Sequence, residues 1–107
     1  MNTHHFFLLS RARAELLKTH DVDAAEWVML EAVALAEYDG KPLRVTELMR
    51  MPEHGSPATV HRRLTTLRKR GFVQVMPDEI DSRVKWLALS DMARAIFAEL
   101  GRVVSRA

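Results

Sequence analysis

The chain has 107 residues, no cysteine and a formal net charge of +2. That length suits one domain with one core and excludes a cofactor domain joined to a substrate domain. Its 48% apolar and 28% charged residues exclude a disordered chain, and the missing cysteines exclude disulfides and thiolate zinc sites.

Taken in order, residues 4–18 read as a helix. Phe6, Leu9, Ala12, Leu16 and Leu17 form an apolar stripe, and Phe7 and Leu8 lie beside it. So many large apolar side chains suggest that a second subunit covers part of this helix. The segment has no basic n-region or small-residue cleavage site, so it is not read as a signal peptide. No apolar run approaches the roughly 20 residues a membrane span needs.

Asp23 and Glu26 have the spacing of a capping box, which predicts a helix running to about Tyr38 with Trp27, Leu30, Val33 and Ala34 inward. Asp39-Gly40-Lys41-Pro42 predicts a turn. Leu43 and Arg44 predict a one-bridge strand, and residues 45–50 a short helix with Leu48 and Met49 in the core. Pro52 to Gly55 forms a connection.

Residues 56–70 predict a helix with marked ends. Ser56 is an N-cap and Pro57 suits the first helical position, where its missing N–H costs nothing. Lys69 and Arg70 complement the dipole, and Gly71 can take the left-handed conformation that stops the helix. Val60, Leu64 and Leu67 fall at the i, i+4, i+7 spacing of a buried stripe. The other positions carry Ser, Thr, His and Arg, which reach phosphates and base edges.

After Gly71 the period becomes two. Residues 72–76 and 84–89 predict a hairpin whose polar tip runs from Pro77 to Arg83. Ser90 caps a last helix, with Ala93, Ile96, Phe97, Leu100, Val103 and Val104 in one stripe. The order of elements predicts a mainly α (α+β) fold: a winged helix-turn-helix with a two-stranded β wing and flanking N- and C-terminal helices, as a single domain over residues 1–107.

Charge is distributed unevenly. Residues 1–54 carry a net −3, residues 78–107 a net zero, and residues 55–77 a net +5 with no acid at all. The positive excess, from Arg62, Arg63, Arg68, Lys69 and Arg70, lies on one helix, and a polyanion would meet a focused patch.

With these residues placed, the chain resembles the MarR family of winged-helix transcriptional regulators. Glu26-Trp27-Val28-Met29-Leu30 looks like the start of that family's second helix, and Arg44-Val45-Thr46-Glu47-Leu48 like its short helix. Ser56 to Gly71, with Thr59-Val60 and the spaced leucines, is similar to its recognition helix. Asp81-Ser82-Arg83-Val84-Lys85, followed by Leu87 and Leu89-Ser90, looks like its wing motif, the more specific part of the likeness. The resemblance covers about residues 21–95.

The resemblance implies a homodimer on pseudo-palindromic duplex DNA, acting as a transcriptional regulator. Helix 56–70 would lie in the major groove and wing 72–89 near the minor groove. The expected DNA-binding residues are Ser56, Ala58, Thr59, His61, Arg62, Arg63, Thr66 and Arg83, with Asp81 supporting the wing arginine. Residues 1–20 and 91–107 would form the dimer through Phe6, Phe7, Leu9, Phe97, Leu100 and Val104. The family has a long C-terminal helical region, and few residues follow Ser90, so the expected dimer is smaller or built differently. The connection 51–55 is about one residue longer than usual, which would tilt the basic helix. The wing carries Asp78, Glu79 and Asp81 against Arg83, and these acids repel phosphate unless they pair locally. The family implies a small-molecule effector, but no residue identifies one. The implied location is the cytoplasm of a prokaryote, at the nucleoid when bound to DNA.

Other chemistry has little support. His4 and His5 cannot both face one way on a helix, and His20, His54 and His61 fall in three separate elements, so no metal and no cofactor is expected. Ser10, Ser56, Ser82, Ser90 and Ser105 lack catalytic signatures, the glycines are isolated, and no enzyme activity is expected. The alternative from another class is a winged helix used for protein–protein or RNA contact.

Overall fold

The computed structural model describes residues 2–106. Its elements are α1 (Thr3–Thr19), α2 (Ala24–Tyr38), α3 (Val45–Met49), a 3₁₀ turn (Pro52–His54), α4 (Pro57–Lys69), β1 (Val73–Pro77), β2 (Lys85–Leu89) and α5 (Asp91–Arg106). This is the predicted winged helix-turn-helix: mostly helical, with one two-stranded antiparallel sheet. Among the described residues no helix is long and apolar enough to cross a membrane.

The predicted caps form. Asp23 accepts the Glu26 N–H at 2.7 Å, and Glu26 accepts the Asp23 N–H at 2.9 Å. Ser90 accepts the Ala93 N–H at 3.1 Å and starts α5. Gly71 has φ +81°, and the Phe72 N–H reaches the Leu67 carbonyl at 2.9 Å, closing α4 in a Schellman turn. Because Phe72 serves that turn, the strand begins at Val73 rather than at Phe72 as expected. Asp21 closes α1 the same way without a glycine, at φ +53°, with the Val22 N–H on the Leu17 carbonyl at 2.9 Å.

The core joins Met29, Leu30 and Val33 of α2, Leu48 of α3, Val60, Leu64 and Leu67 of α4, Leu87 and Leu89 of β2, and Ala93, Ile96 and Leu100 of α5. Burying each large side chain contributes about 1.5–3 kcal/mol. Trp27, Leu30 and Val33 are buried and Ala34 packs half-buried against the core, as expected; Met29, outside the predicted stripe, is fully buried as well. Trp27 stacks on Phe97 with centroids 4.8 Å apart, as a core residue should. The expected bridge at Arg44 forms with Trp86, and the Leu87 N–H donates to the Leu43 carbonyl at 2.8 Å, docking the wing on the segment that leads into α3.

α1 packs along α5, yet none of its residues is fully buried. Leu9, Ala12, Leu16 and Leu17 rest on the core, whereas Phe6 and Phe7 are 50% and 60% exposed. The molecule is accordingly long, 45 × 26 × 23 Å.

Candidate nucleic-acid interface

Helix α4 sorts its side chains onto four faces, because each residue advances about 100°. Val60, Leu64 and Leu67 face the core and are buried. Opposite them Ala58, Arg62 and Lys69 face outward and are exposed. His61, Thr65 and Arg68 lie on the flank toward the wing. Thr59, Arg63, Thr66 and Arg70 lie on the other flank.

The structure divides the predicted residues by task. Ser56 is the N-cap: its hydroxyl accepts the Thr59 N–H at 3.3 Å and donates to the Thr59 hydroxyl at 3.0 Å. Thr66 donates to the Arg62 carbonyl at 3.1 Å, leaving its oxygen free only to accept. Ala58, His61 and Arg62 are exposed, and Arg62 joins no ion pair among the described residues.

Arg63 departs from the expectation that it projects outward with Arg62. It is half-buried, and its Nη1 donates to the His54 carbonyl at 2.9 Å. The 3₁₀ turn carries that carbonyl beside α4, and a guanidinium is a strong donor for it. Arg70 is engaged as well. Its Nη2 donates to the His20 carbonyl at 2.6 Å and its Nη1 to Glu26 Oε2 at 3.3 Å, over the Phe72 ring at 5.2 Å. Of the five cations on the basic segment, Arg62, Arg68 and Lys69 therefore face solvent.

Between α4 and the wing lies a cavity of about 320 Å³, lined by His61, Thr65, Arg68 and Lys85 and by apolar residues including Val75, with no acid. Arg68 and Lys85 were not among the predicted site residues. The seven-residue step from His61 to Arg68, which keeps both on one flank, is the sequence signal that could have found Arg68.

Two of the three acids at the wing tip, Asp78 and Asp81, pair locally, and Glu79 is exposed. Asp78 accepts from the Trp86 indole at 2.9 Å and from the Ile80 and Asp81 N–H groups at 3.0 Å each. These bonds, Trp86 first, hold its carboxyl below the ordinary value. Asp81 takes Arg83 with both oxygens, at 3.0 Å to Nε and 3.1 Å to Nη2, and also accepts the Arg83 N–H at 3.1 Å. The Arg83 guanidinium lowers the Asp81 pKa, and Asp81 raises that of Arg83. The Arg83 side chain is 90% exposed, so the pair presents a fixed arginine to solvent. Arg44 lies over the Trp86 ring at 5.8 Å, tying the base of the wing to α3.

The predicted dimer residues also divide. Leu100 is buried in the protomer's own core and so lacks the free surface that was expected, while Phe97 is half-buried, stacked on Trp27. Phe6 and Phe7 stay exposed, edge to face at 5.4 Å, while Leu9 and Val104 are half-buried. A cleft of about 520 Å³ between α2 and α5 is lined mainly by Ala34, Leu35, Tyr38 and Phe97, with Glu37 and Arg94 at its edge. No cluster of metal-ligating side chains occurs among the described residues.

This arrangement of three-helix support, basic helix and hairpin defines a winged helix-turn-helix. No protein-family model and no curated relative matches the sequence, but solved structures do. The transcriptional regulator Tm0710 from Thermotoga maritima superposes with a TM-score of 0.70 at 20% identity, over 94% of this chain and 67% of that one. A mutant MarR from E. coli complexed with operator DNA gives 0.65 at 22% identity, over 94% of this chain and 69% of that one. The MepR–DNA complex of S. aureus gives 0.69 at 14% identity, over 91% of this chain and 76% of that one. The particular form of winged helix adopted here is that of the MarR-type transcriptional regulators.

Proposed function

We propose that this protein is a transcriptional regulator that binds duplex DNA sequence-specifically, with α4 in the major groove and the wing near the minor groove. The observation that carries the proposal is the outer surface of α4. Ala58, Arg62 and Lys69 are exposed there with His61 exposed on the adjoining flank, no acid lies among them, and the helix is capped by Ser56. MarR and MepR, which share this fold, were each solved with DNA.

Roles follow from the faces. Arg62 reads bases, since a bidentate arginine–guanine pair is the commonest specific contact, and Ala58 and His61 flank it. Ser56, Thr59 and Thr66 hold or border that surface. Arg68, Lys69 and Lys85 meet phosphates. Arg83, held by Asp81, enters the minor groove, where a narrow groove concentrates negative potential. A second copy joins through α1 and the end of α5. Half of each of Phe6 and Phe7 is only about 200 Å² of apolar surface per protomer, against the roughly 800 Å² a stable interface needs, so the remaining α1 and α5 surface must take part.

The RNA alternative is weakened because Phe72, the aromatic at the edge of the basic segment, is buried and offers no stacking platform. Selection from a random duplex pool tests the proposal. A recovered consensus with two half-sites about 34 Å apart is expected, and a pool that stays random would refute sequence-specific binding.

A further inference from the structure

The five cations of the basic segment look alike in sequence, but their surroundings differ. Arg63 and Arg70 are seven residues apart, so they share one flank of α4. Both are half-buried, and both donate to backbone carbonyls outside the helix. Arg63 holds the His54 carbonyl at the entry to α4. Arg70 holds the His20 carbonyl and Glu26 at the exit. Each bond spans separate elements: Arg63 reaches the 3₁₀ turn, and Arg70 reaches the corner between α1 and α2.

The Arg70 end is the more thoroughly built. Glu26 is buried, and its two oxygens are shared between the α2 capping box and Arg70. His20 is the last residue before the α1 turn, and its ring stands edge-on to Phe72 at 6.4 Å. The cluster therefore fixes the end of α4 to the end of α1, the helix that carries Phe6 and Phe7.

We propose that Arg63 and Arg70 form a two-point clamp that sets the tilt and rotation of the recognition helix, and that they are positioning residues rather than DNA contacts. The proposal rests on the DNA-binding reading above and deepens it. Two fixed points seven residues apart define the axis of α4 and prevent it from rolling about Val60, Leu64 and Leu67. The outward stripe Ala58–Arg62–Lys69 is thereby aimed. A lysine does not reproduce either arginine, because an ammonium lacks the planar guanidinium fork that at Arg70 meets the His20 carbonyl and Glu26 together and at Arg63 carries Nη1 to the His54 carbonyl. Charge and geometry can thus be separated by substitution.

The test uses the full chain and the duplex recovered by selection. Binding of R63K, R70K, R63A, R70A and R62K is measured by fluorescence anisotropy over a salt series, beside a random duplex. For a clamp, R63K and R70K lose affinity for the selected duplex on the order of tenfold each, the scale of one lost charged hydrogen bond. Their affinity for the random duplex and their salt slopes stay unchanged. If the arginines instead touch phosphate, the lysine variants bind like wild type and each alanine variant lowers the salt slope by about one; that result overturns the clamp. Amide hydrogen exchange in α4 supplies a readout without DNA, with faster exchange expected in R63K and R70K. A wild type that binds no duplex refutes the DNA-binding reading itself. Unchanged exchange in both lysine variants would then refute the clamp independently.

Discussion

Arg62 and Arg63 are neighbours in sequence with opposite surroundings: replacing Arg62 by alanine should cost binding without stability, whereas replacing Arg63 should cost stability and, through the aim of α4, specific binding as well. The Arg62 side chain is exposed and joins no ion pair among the described residues. Its removal should shift folding stability by less than about 0.5 kcal/mol, the usual range for surface positions. Losing a bidentate base contact should cost about 1–3 kcal/mol of specific binding, roughly 5- to 150-fold. At Arg63 folding stability falls as well. Its half-buried Nη1 sits 2.9 Å from the His54 carbonyl, and a hydrogen bond from a charged group contributes about 1.5–3 kcal/mol. With partial exposure of the guanidinium, the lower end of that range applies, so Arg63→Ala should lose about 1.5 kcal/mol of stability. For a domain of this size such a loss lowers Tm by about 6–12 °C. Thermal denaturation read by circular dichroism, together with anisotropy on the selected duplex, measures both quantities. An Arg62→Ala variant that binds as well as wild type, or an Arg63→Ala variant that melts with it, would refute the division of tasks.

Further outcomes are expected elsewhere. Arg83→Ala should weaken binding most on operators with A·T-rich flanks, and Asp81→Ala should do so less; equal affinity of wild type and Arg83→Ala across flanks of different A·T content would exclude the minor-groove role. Phe6→Ala with Phe7→Ala should raise the dimer dissociation constant at least tenfold in sedimentation without DNA, and a wild type that is monomeric at tens of micromolar would contradict the dimer. The wing tip should titrate with a definite sign. Asp78 and Asp81 are both depressed in the folded state, so their bonds are intact above the ordinary carboxylate value of 3.8 and are lost as pH falls through the lower folded values. The Trp86 indole N–H should therefore keep its NMR shift from about pH 8 to pH 5 and move only below about pH 4; movement near pH 6 would contradict the assignment.

Much of the fold could be read from the sequence because its ends are written locally. Ser56, Pro57 and Gly71 mark α4 with residues that act within one turn, and so do Asp23 with Glu26 at α2 and Ser90 at α5. The hairpin followed from a change of period. Features set by distant partners were hidden. Arg63 and Arg70 looked like two more exposed cations, because the carbonyls that hold them belong to His54 and His20, the second 50 residues away. The wing acids looked repulsive because Asp78 meets its first partner, Trp86, only once the strands pair. Leu100 lies on a helical stripe that could face its own core or a second copy, and periodicity cannot tell the two apart.

The central claim is that the outer face of α4 engages duplex DNA, and a salt series on the selected duplex tests it most directly. Wild-type protein should bind with log K falling linearly against log salt concentration. The slope should drop by about one in the Lys69→Ala variant, and sequence discrimination should relax in the Arg62→Ala variant. Affinity that is independent of salt, or a slope that Lys69→Ala leaves unchanged, would contradict the account.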